Sequence, residues 1–352
     1  MKFIVGNLIN NLPNIKTGRI LTTQEVFTHL IEQAVLAENL GFDGYGVGER
    51  HGAPFLSSSP TVLLSALAMK TSKIRLLTTV TVLSVLDPIR VAEDYATLDH
   101  LSKGRLDVVI GKGNDPRHYP LFDVKDEDQW AALAEKYELL KRLWNEENIS
   151  WQGKFRSKID SVTTEPRPYQ QQIRIWHGSA SSELSTELAA KNGDPIFSSN
   201  TFHELEKYQA LIDHYRSRLD HYGFDPQQAV VGAGARGLYI ANTNEEAIEK
   251  YRPYYEGFMS TEASKVNNSP FKNLEDHIER GSALVGSPDA IIEKVIKYHQ
   301  AFKHQVQMLS VEGLELSEQS EQLERFATEI MPVLKKELPS TIWDQNKAFT
   351  LQ

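Results

Sequence analysis

Residues 73–113, KIRLLTTVTVLSVLDPIRVAEDYATLDHLSKGRLDVVIGKG, leave the chain few folds to choose from. Ile74 to Leu83 is β-branched and almost wholly apolar, which predicts a strand buried on both faces. Asp87-Pro88 starts a helix, because Asp caps free N–H groups and Pro suits the first turn. Ile89, Val91, Ala92, Tyr95, Ala96, Leu98 and Leu101 give that helix a broad apolar face. Lys103-Gly104 ends it, with Gly free to take the left-handed cap. Leu106 to Ile110 is a second buried strand, so the stretch is one βαβ unit with parallel strands. It ends in Gly111-Lys112-Gly113, where small residues bring backbone and a cation to the C-terminal strand edge, the ligand-binding edge of α/β folds.

The same alternation runs along the chain. Strands are predicted at 3–7, 42–48, 173–177, 195–199, within 229–241 and at 306–311. Helices are predicted from Thr22 or Thr23 to Gly41, from Ser57 to Met69, over 129–145, 182–191, 202–222, 290–302 and 318–336. Eight strands alternating with helices fit a (β/α)8 TIM barrel better than the runner-up, an open α/β sheet with an added cap. A barrel core takes roughly 250 residues, and the chain has 352. The surplus falls in irregular stretches at 113–128, 149–172 (with a small hairpin) and 252–284. With no linker or internal repeat, residues 1–352 read as a single barrel domain with insertions on its C-terminal face.

Composition removes several functions. A net charge of -9 argues against nucleic acid, which needs a basic surface. There is no cysteine, which excludes disulfides, thiolate nucleophiles and cysteine–metal sites. The 11 histidines are scattered and no metal site is expected. Without a signal segment or a membrane-length apolar run, a soluble cytoplasmic protein is expected.

The strand ends gather Asn7, Glu49-Arg50-His51, Gly111-Lys112-Gly113-Asn114, His177-Gly178-Ser179, Ser198-Ser199-Asn200 and Val311-Glu312-Gly313, a set suited to an anionic ligand. Lys112 with the turn Gly178-Ser179-Ala180-Ser181-Ser182 reads as a phosphate site: free N–H groups at a helix start, hydroxyls and a cation. The alternative is a plain strand–helix turn beside a solvated lysine. Glu49-Arg50-His51 offers acid–base chemistry or, alternatively, an ion pair with His51 on the surface. Trp130 and Trp144 read as core-facing helix residues.

These strand ends resemble the luciferase-like monooxygenases, the family of the bacterial luciferase alpha subunit, over nearly the whole length. GNL follows the MKF opening, and GFDGYGVGERH follows the first helix. Pro88, Arg90, Glu93 and Asp94 match a P-x-R-x-x-E-D segment. Leu98, Asp99, Ser102, Gly104 and Arg105 match L-D-x-x-S-x-G-R. IRIWHGSASSE, ALVGSPDAIIEKV and MPVLKKE match later segments.

The resemblance implies a (β/α)8 barrel binding FMN, reduced by a separate flavin reductase, that uses oxygen to oxidise a small organic substrate. It places Lys112, Ser179, Ser182 and Gly178 at the FMN phosphate. Thr79-Val80 stands against the flavin ring with a non-proline cis bond, and Glu49 is an acidic residue near it. Asn114 and Asn200 complete the implied cofactor set. The luciferase alpha subunit has two histidines after this glutamate, the first of them catalytic. Here Arg50 and His51 stand there as the catalytic candidates, and light emission from an aldehyde is not implied. Asn200 replaces a tryptophan of luciferase, so the pocket and substrate differ. The 252–284 stretch resembles the family's mobile loop, and relatives commonly form homodimers. The alternatives are a deazaflavin-dependent hydride-transfer oxidoreductase and a non-catalytic flavin-binding subunit.

Overall fold

The computed structural model describes residues 1–179, 182–261, 264 and 269–344. In chain order the elements are β1 (Lys2–Asn7), α1 (Thr23–Asn39), β2 (Gly44–Val47), α2 (Pro60–Lys70), β3 (Arg75–Thr78), β4 (Thr81–Val82), α3 (Pro88–Ser102) and β5 (Leu106–Gly111). Then follow α4 (Gln129–Asn145), β6 (Ile149–Trp151), β7 (Ile159–Val162), β8 (Arg174–Ser179), α5 (Glu183–Asn192), β9 (Ile196–Ser198), α6 (Leu205–His221) and β10 (Val231–Ala233). The last are β11 (Leu238–Ile240), α7 (Asn244–Met259), α8 (Leu274–Arg280), β12 (Leu284–Gly286), α9 (Pro288–Phe302), β13 (Val306–Leu309), α10 (Leu316–Arg325) and α11 (Met331–Glu337). A π-helical turn, Phe326–Ile330, joins α10 to α11.

The sheet closes on itself. Its order is β1-β2-β3/β4-β5-β8-β9-β10-β13 and back to β1, with every pairing parallel. This is the expected (β/α)8 barrel. Strand side chains alternate between two layers. Ile4, Leu77, Val109, Trp176, Phe197 and Val306 pack together as one buried cluster inside the barrel. Phe3, Val5, Tyr45, Val47, Leu76 and Val108 face outward into the larger core beneath the helices.

Local chemistry places the helices. Thr22 and Glu25 form a capping box on α1. Asp87 Oδ1 accepts from the Ile89 N–H at 2.9 Å, starting α3. Arg105 closes the end of α2 by donating to the carbonyls of Ala68 (3.0 Å) and Thr71 (3.1 Å).

At the N-terminal end of the barrel, Asp107 is fully buried. Arg75 pairs with it, Arg174 lies 3.5 Å away, and the indoles of Trp176 and Trp343 each donate to Oδ2 at 2.9 Å. Burial alone would raise its carboxyl. The arginines and indoles outweigh that and hold it below the ordinary range.

Several expectations are corrected. The apolar run 74–83 is two strands, β3 and β4, with the cis Thr79–Val80 peptide between them. Lys103, not Gly104, takes the left-handed cap of α3 (φ 56), and Gly104 follows with φ 79. The segment 229–241 holds a barrel strand, β10, and a second strand, β11, which pairs with β12 outside the barrel. The stretch 252–284 takes in the end of α7 and all of α8, while residues 262–263 and 265–268 of the loop resemblance lie outside the described residues. The hairpin within 149–172 is present as β6 and β7. Among the described residues, no helix is long and apolar enough to cross a membrane.

Candidate active site

The strand ends open into a cavity of about 1340 Å³ at the C-terminal face. That exceeds the roughly 300–1,000 Å³ usual for a pocket holding one small molecule. Its floor is built by a close approach of strands. Val80, from the cis Thr79–Val80 peptide, sits where Gly111 and Gly178 carry no side chain: a Cβ on Gly178 would lie 2.8 Å from Val80 Cγ1, and one on Gly111 3.1 Å from Val80 Cγ2. Gly46 likewise makes room for Thr79, whose Cγ2 lies 2.7 Å from where a Cβ would sit. The glycines at these strand ends let the 79–80 peptide line the cavity.

One wall carries hydroxyls and a cation. Lys112 follows β5 directly, donates to the Gly113 carbonyl at 2.9 Å and lies 5.6 Å above the Trp130 ring. Burial lowers its ammonium from the ordinary lysine value, while Asp126 opposes the shift. Ser179 donates to the Ser182 carbonyl at 3.3 Å, and the Ser182 hydroxyl caps α5 by accepting from Leu184 N–H at 3.3 Å. Lys112, Asn114, Gly178, Ser179 and Ser182 all line the cavity; Ala180 and Ser181 of the expected turn lie outside the described residues.

Glu49 also lines the cavity, beyond the end of β2, and is only 4% exposed. Its Oε2 accepts the Val82 N–H at 2.9 Å, and its Oε1 lies 3.0 Å from His51 Nε2. His51 is not a cavity-lining residue. It packs edge-on against His118 and Phe122, and its own N–H donates to His118 Nε2 at 3.3 Å. Burial depresses His118 below the usual histidine value, leaving that nitrogen free to accept. Asp115 anchors the layer: hydrogen bonds from Arg117, chiefly from its side chain, hold the Asp115 carboxyl at about 2.

The structure therefore separates the two catalytic candidates. Arg50 lines the cavity, and His51 stands behind it, touching the lining residues Glu49 and His118. Asn200 is buried in the wall behind the cavity with φ 42, donating to Gly234 O at 3.2 Å. Sequence reasoning placed Trp130 in the core, yet it lines the cavity beneath Lys112; Trp144 is in the core, donating to Ala92 O at 3.1 Å. Arg236 was missed. Its signal was a lone charge in the small-residue run Gly232-Ala233-Gly234-Ala235-Arg236-Gly237 after a strand.

Fold and cavity together define a (β/α)8-barrel protein whose cavity lies at the strand C-termini, where enzymes of this architecture keep their active sites. The luciferase-like monooxygenase profile matches residues 1–305, and the chain belongs to that family of flavin-dependent monooxygenases. It is 24% identical over 337 residues to the oxygenase component of the flavin-dependent trigonelline monooxygenase of Acinetobacter baylyi, covering 90% of this chain and 92% of that one. Monooxygenase RslO1 from Streptomyces bottropensis superposes with a TM-score of 0.83 at 26% identity, over 95% of this chain and 99% of that one. The FMN complex of the oxygenating constituent of 3,6-diketocamphane monooxygenase from Pseudomonas putida shares the fold, with a TM-score of 0.76 at 19% identity over 94% and 98% of the two chains.

Proposed function

We propose that the chain is the oxygenase of a two-component system: it takes reduced FMN from a separate flavin reductase and, with molecular oxygen, oxidises a small organic substrate. The observation that carries this reading is one cavity with a cation and hydroxyls on one wall and an apolar floor at Val80, Val109 and Phe197. The donor set fits the cofactor. Lys112 keeps N–H groups beyond its one bond to Gly113, and Ser179 and Ser182 stand at the start of α5, where helix N–H groups favour a phosphate. The cavity has volume for a second molecule.

Lys112, Ser179 and Ser182 hold the phosphate, with Gly178 and Asn114 beside it. Thr79, Val80 and Glu49 position the ring, and Asn200 braces the wall behind. Reduced FMN, when bound, supplies the electrons that activate oxygen. The protein orients ring and substrate and limits water. Glu49 is fixed from two sides by Val82 and His51, so it holds its place with little reorganisation. Arg50 stabilises negative charge in the cavity, and His51 is a positioning residue that keeps Glu49 in place. A homodimer in the cytoplasm completes the proposal, supported by Val62 and Met69 on α2, which are 68% and 69% exposed.

The test is anaerobic mixing of the purified protein with reduced FMN, then oxygen, followed by flavin absorbance. Reoxidation well slower than that of free reduced FMN is expected. Reoxidation at the free rate, or binding of a deazaflavin in preference to FMN, overturns the proposal.

A further inference from the structure

The charged side chains that line the cavity apart from the phosphate wall include Arg50 beyond β2, Arg236 beyond β10 and Glu312 beyond β13. Glu312 is already engaged, accepting the N–H groups of Asn10 at 2.7 Å and Leu8 at 3.2 Å. Burial raises its carboxyl, and those N–H groups, Arg236 and Arg50 pull it back, so both arginines act on the same carboxylate.

The arginines are not engaged in the same way. The Arg50 guanidinium lies 5.4 Å from the centre of the Phe55 ring, and that of Arg236 lies 3.7 Å from the centre of Phe258. Neither side chain donates a hydrogen bond to an acceptor among the described residues. A ring against a guanidinium face leaves the five N–H donors at its edge open. Other arginines are held by acceptors: Arg105 donates to the carbonyls of Ala68, Thr71 and Ile74, and Arg218 grips Glu187 with two nitrogens at 2.6 and 2.8 Å. Burial depresses both cavity guanidinium groups. Glu312 faces both cations, and Asp115, the stronger influence on Arg50, is committed to Arg117, so the guanidinium edges stay open in a site whose remaining walls include Phe55, Tyr251 and Phe258. A planar anion is the natural complement of two open guanidinium edges.

We propose that Arg50 and Arg236 form a subsite for the anionic group of the organic substrate. The substrates are then organic acids with an apolar or aromatic body, not neutral aldehydes or alkanes. This rests on the flavin monooxygenase reading. One other source presents the same chemistry, the reduced flavin ring, itself an anion near neutral pH.

The probe is 2-naphthoate, with the neutral 2-naphthamide as its isostere, titrated calorimetrically into the full chain with and without saturating FMN. The acid is expected to bind at least tenfold more tightly than the amide. Arg50→Gln and Arg236→Gln each lose that preference, while amide affinity and the Kd values of oxidised and reduced FMN stay within threefold. Arg236→Lys, which keeps the charge, restores part of the preference in a variant of wild-type melting temperature. Equal binding of acid and amide overturns the proposal. A loss of reduced-FMN affinity as large as the loss for naphthoate also overturns it and assigns the arginines to the cofactor. Failure of FMN to bind at all sinks the flavin reading instead, and the acid-to-amide ratio without FMN still decides the subsite.

Discussion

Gly178 has no room for a methyl group, and Gly178→Ala converts that into a test of the cavity floor. A Cβ there would lie 2.8 Å from Val80 Cγ1, 3.2 Å from the Ile110 carbonyl oxygen and 3.5 Å from Val109 Cγ1. The carbonyl belongs to β5, which is paired on both sides by β4 and β8 and cannot retreat. Val80 must move, because carbon atoms settle at about 3.5–4.0 Å. The required shift is on the order of 1 Å. Gly111 closes the other side, where a Cβ would lie 3.1 Å from Val80 Cγ2, so the open direction is the cavity. Overpacking of this kind costs about 1–3 kcal/mol. At roughly 2.1 cal/mol/K of unfolding entropy per residue, that is about 1–4 °C in Tm for a single cooperative transition. If the flavin ring rests on Val80, the same displacement costs about 1–2 kcal/mol of binding, or roughly 5–30-fold in Kd. Gly52→Ala is the control: Gly52 has φ +79 with nothing within 4 Å of its Cβ position, so it carries backbone strain without touching the floor. Thermal melts and fluorescence titration with FMN measure both effects. A folded Gly178→Ala protein of lowered Tm whose FMN Kd stays within twofold of wild type would refute the placement of the ring on Val80.

Other perturbations separate the parts of the molecule. Lys112→Glu replaces a charge-assisted donor worth about 1.5–3 kcal/mol with a repelling charge, so FMN affinity should fall at least 100-fold while riboflavin, lacking the phosphate, is unaffected; equal losses for both would contradict the phosphate assignment. Trp343→Ala removes the indole bond to Asp107 and the ring against Arg75; about 2 kcal/mol of stability should go, on the scale of lost aromatic packing and a charged hydrogen bond, with FMN Kd unchanged in the same titration. The Asp115 carboxyl is held at about 2 against 3.8, chiefly by Arg117. Because the folded value is the lower one, its stabilisation is present above about pH 4 and disappears as pH falls toward 2, worth roughly 2 kcal/mol at 1.36 kcal/mol per pKa unit. Asp115→Asn should flatten that part of an acid-unfolding curve followed by circular dichroism, and an unchanged curve would count against it.

Much of the barrel was legible because its signals are local. The Gln129–Asn145 helix was read to the residue, since its apolar positions recur at helical spacing. Ser287-Pro288 announced its helix by chemistry alone, and the Ser287 hydroxyl does accept from Ala290 N–H at 3.3 Å. The failures lie where tertiary context overrides pattern. A continuous β-branched run at 74–83 carries no mark of the cis peptide that divides it; only the family resemblance pointed to Thr79–Val80. Helix α7 contains Pro253 and a run of tyrosines, which blur an apolar face whose buried members are Ala247, Tyr251, Tyr254 and Tyr255. For the site, adjacency in sequence misled: Arg50 and His51 are neighbours in the chain but project to different environments, as alternate residues beyond a strand do. Arg236 has no sequence neighbour with which to form a motif, and its partner across the cavity, Arg50, is far away in the chain.

Closure of the barrel has a consequence during synthesis. β1 is paired on one side with β2 and on the other with β13, in a register that sets Phe3 opposite Gln307 and Val5 opposite Leu309. The first partner leaves the ribosome soon after β1, but the second follows some 300 residues later. At about 5–20 residues per second, the nascent chain waits roughly 15–60 s for it. Throughout that interval the apolar segment Phe3-Ile4-Val5 keeps an open strand edge, the kind of surface that recruits other chains. Translation speed and chaperone cover therefore bear on the yield of this protein more heavily than the stability of the finished barrel would suggest.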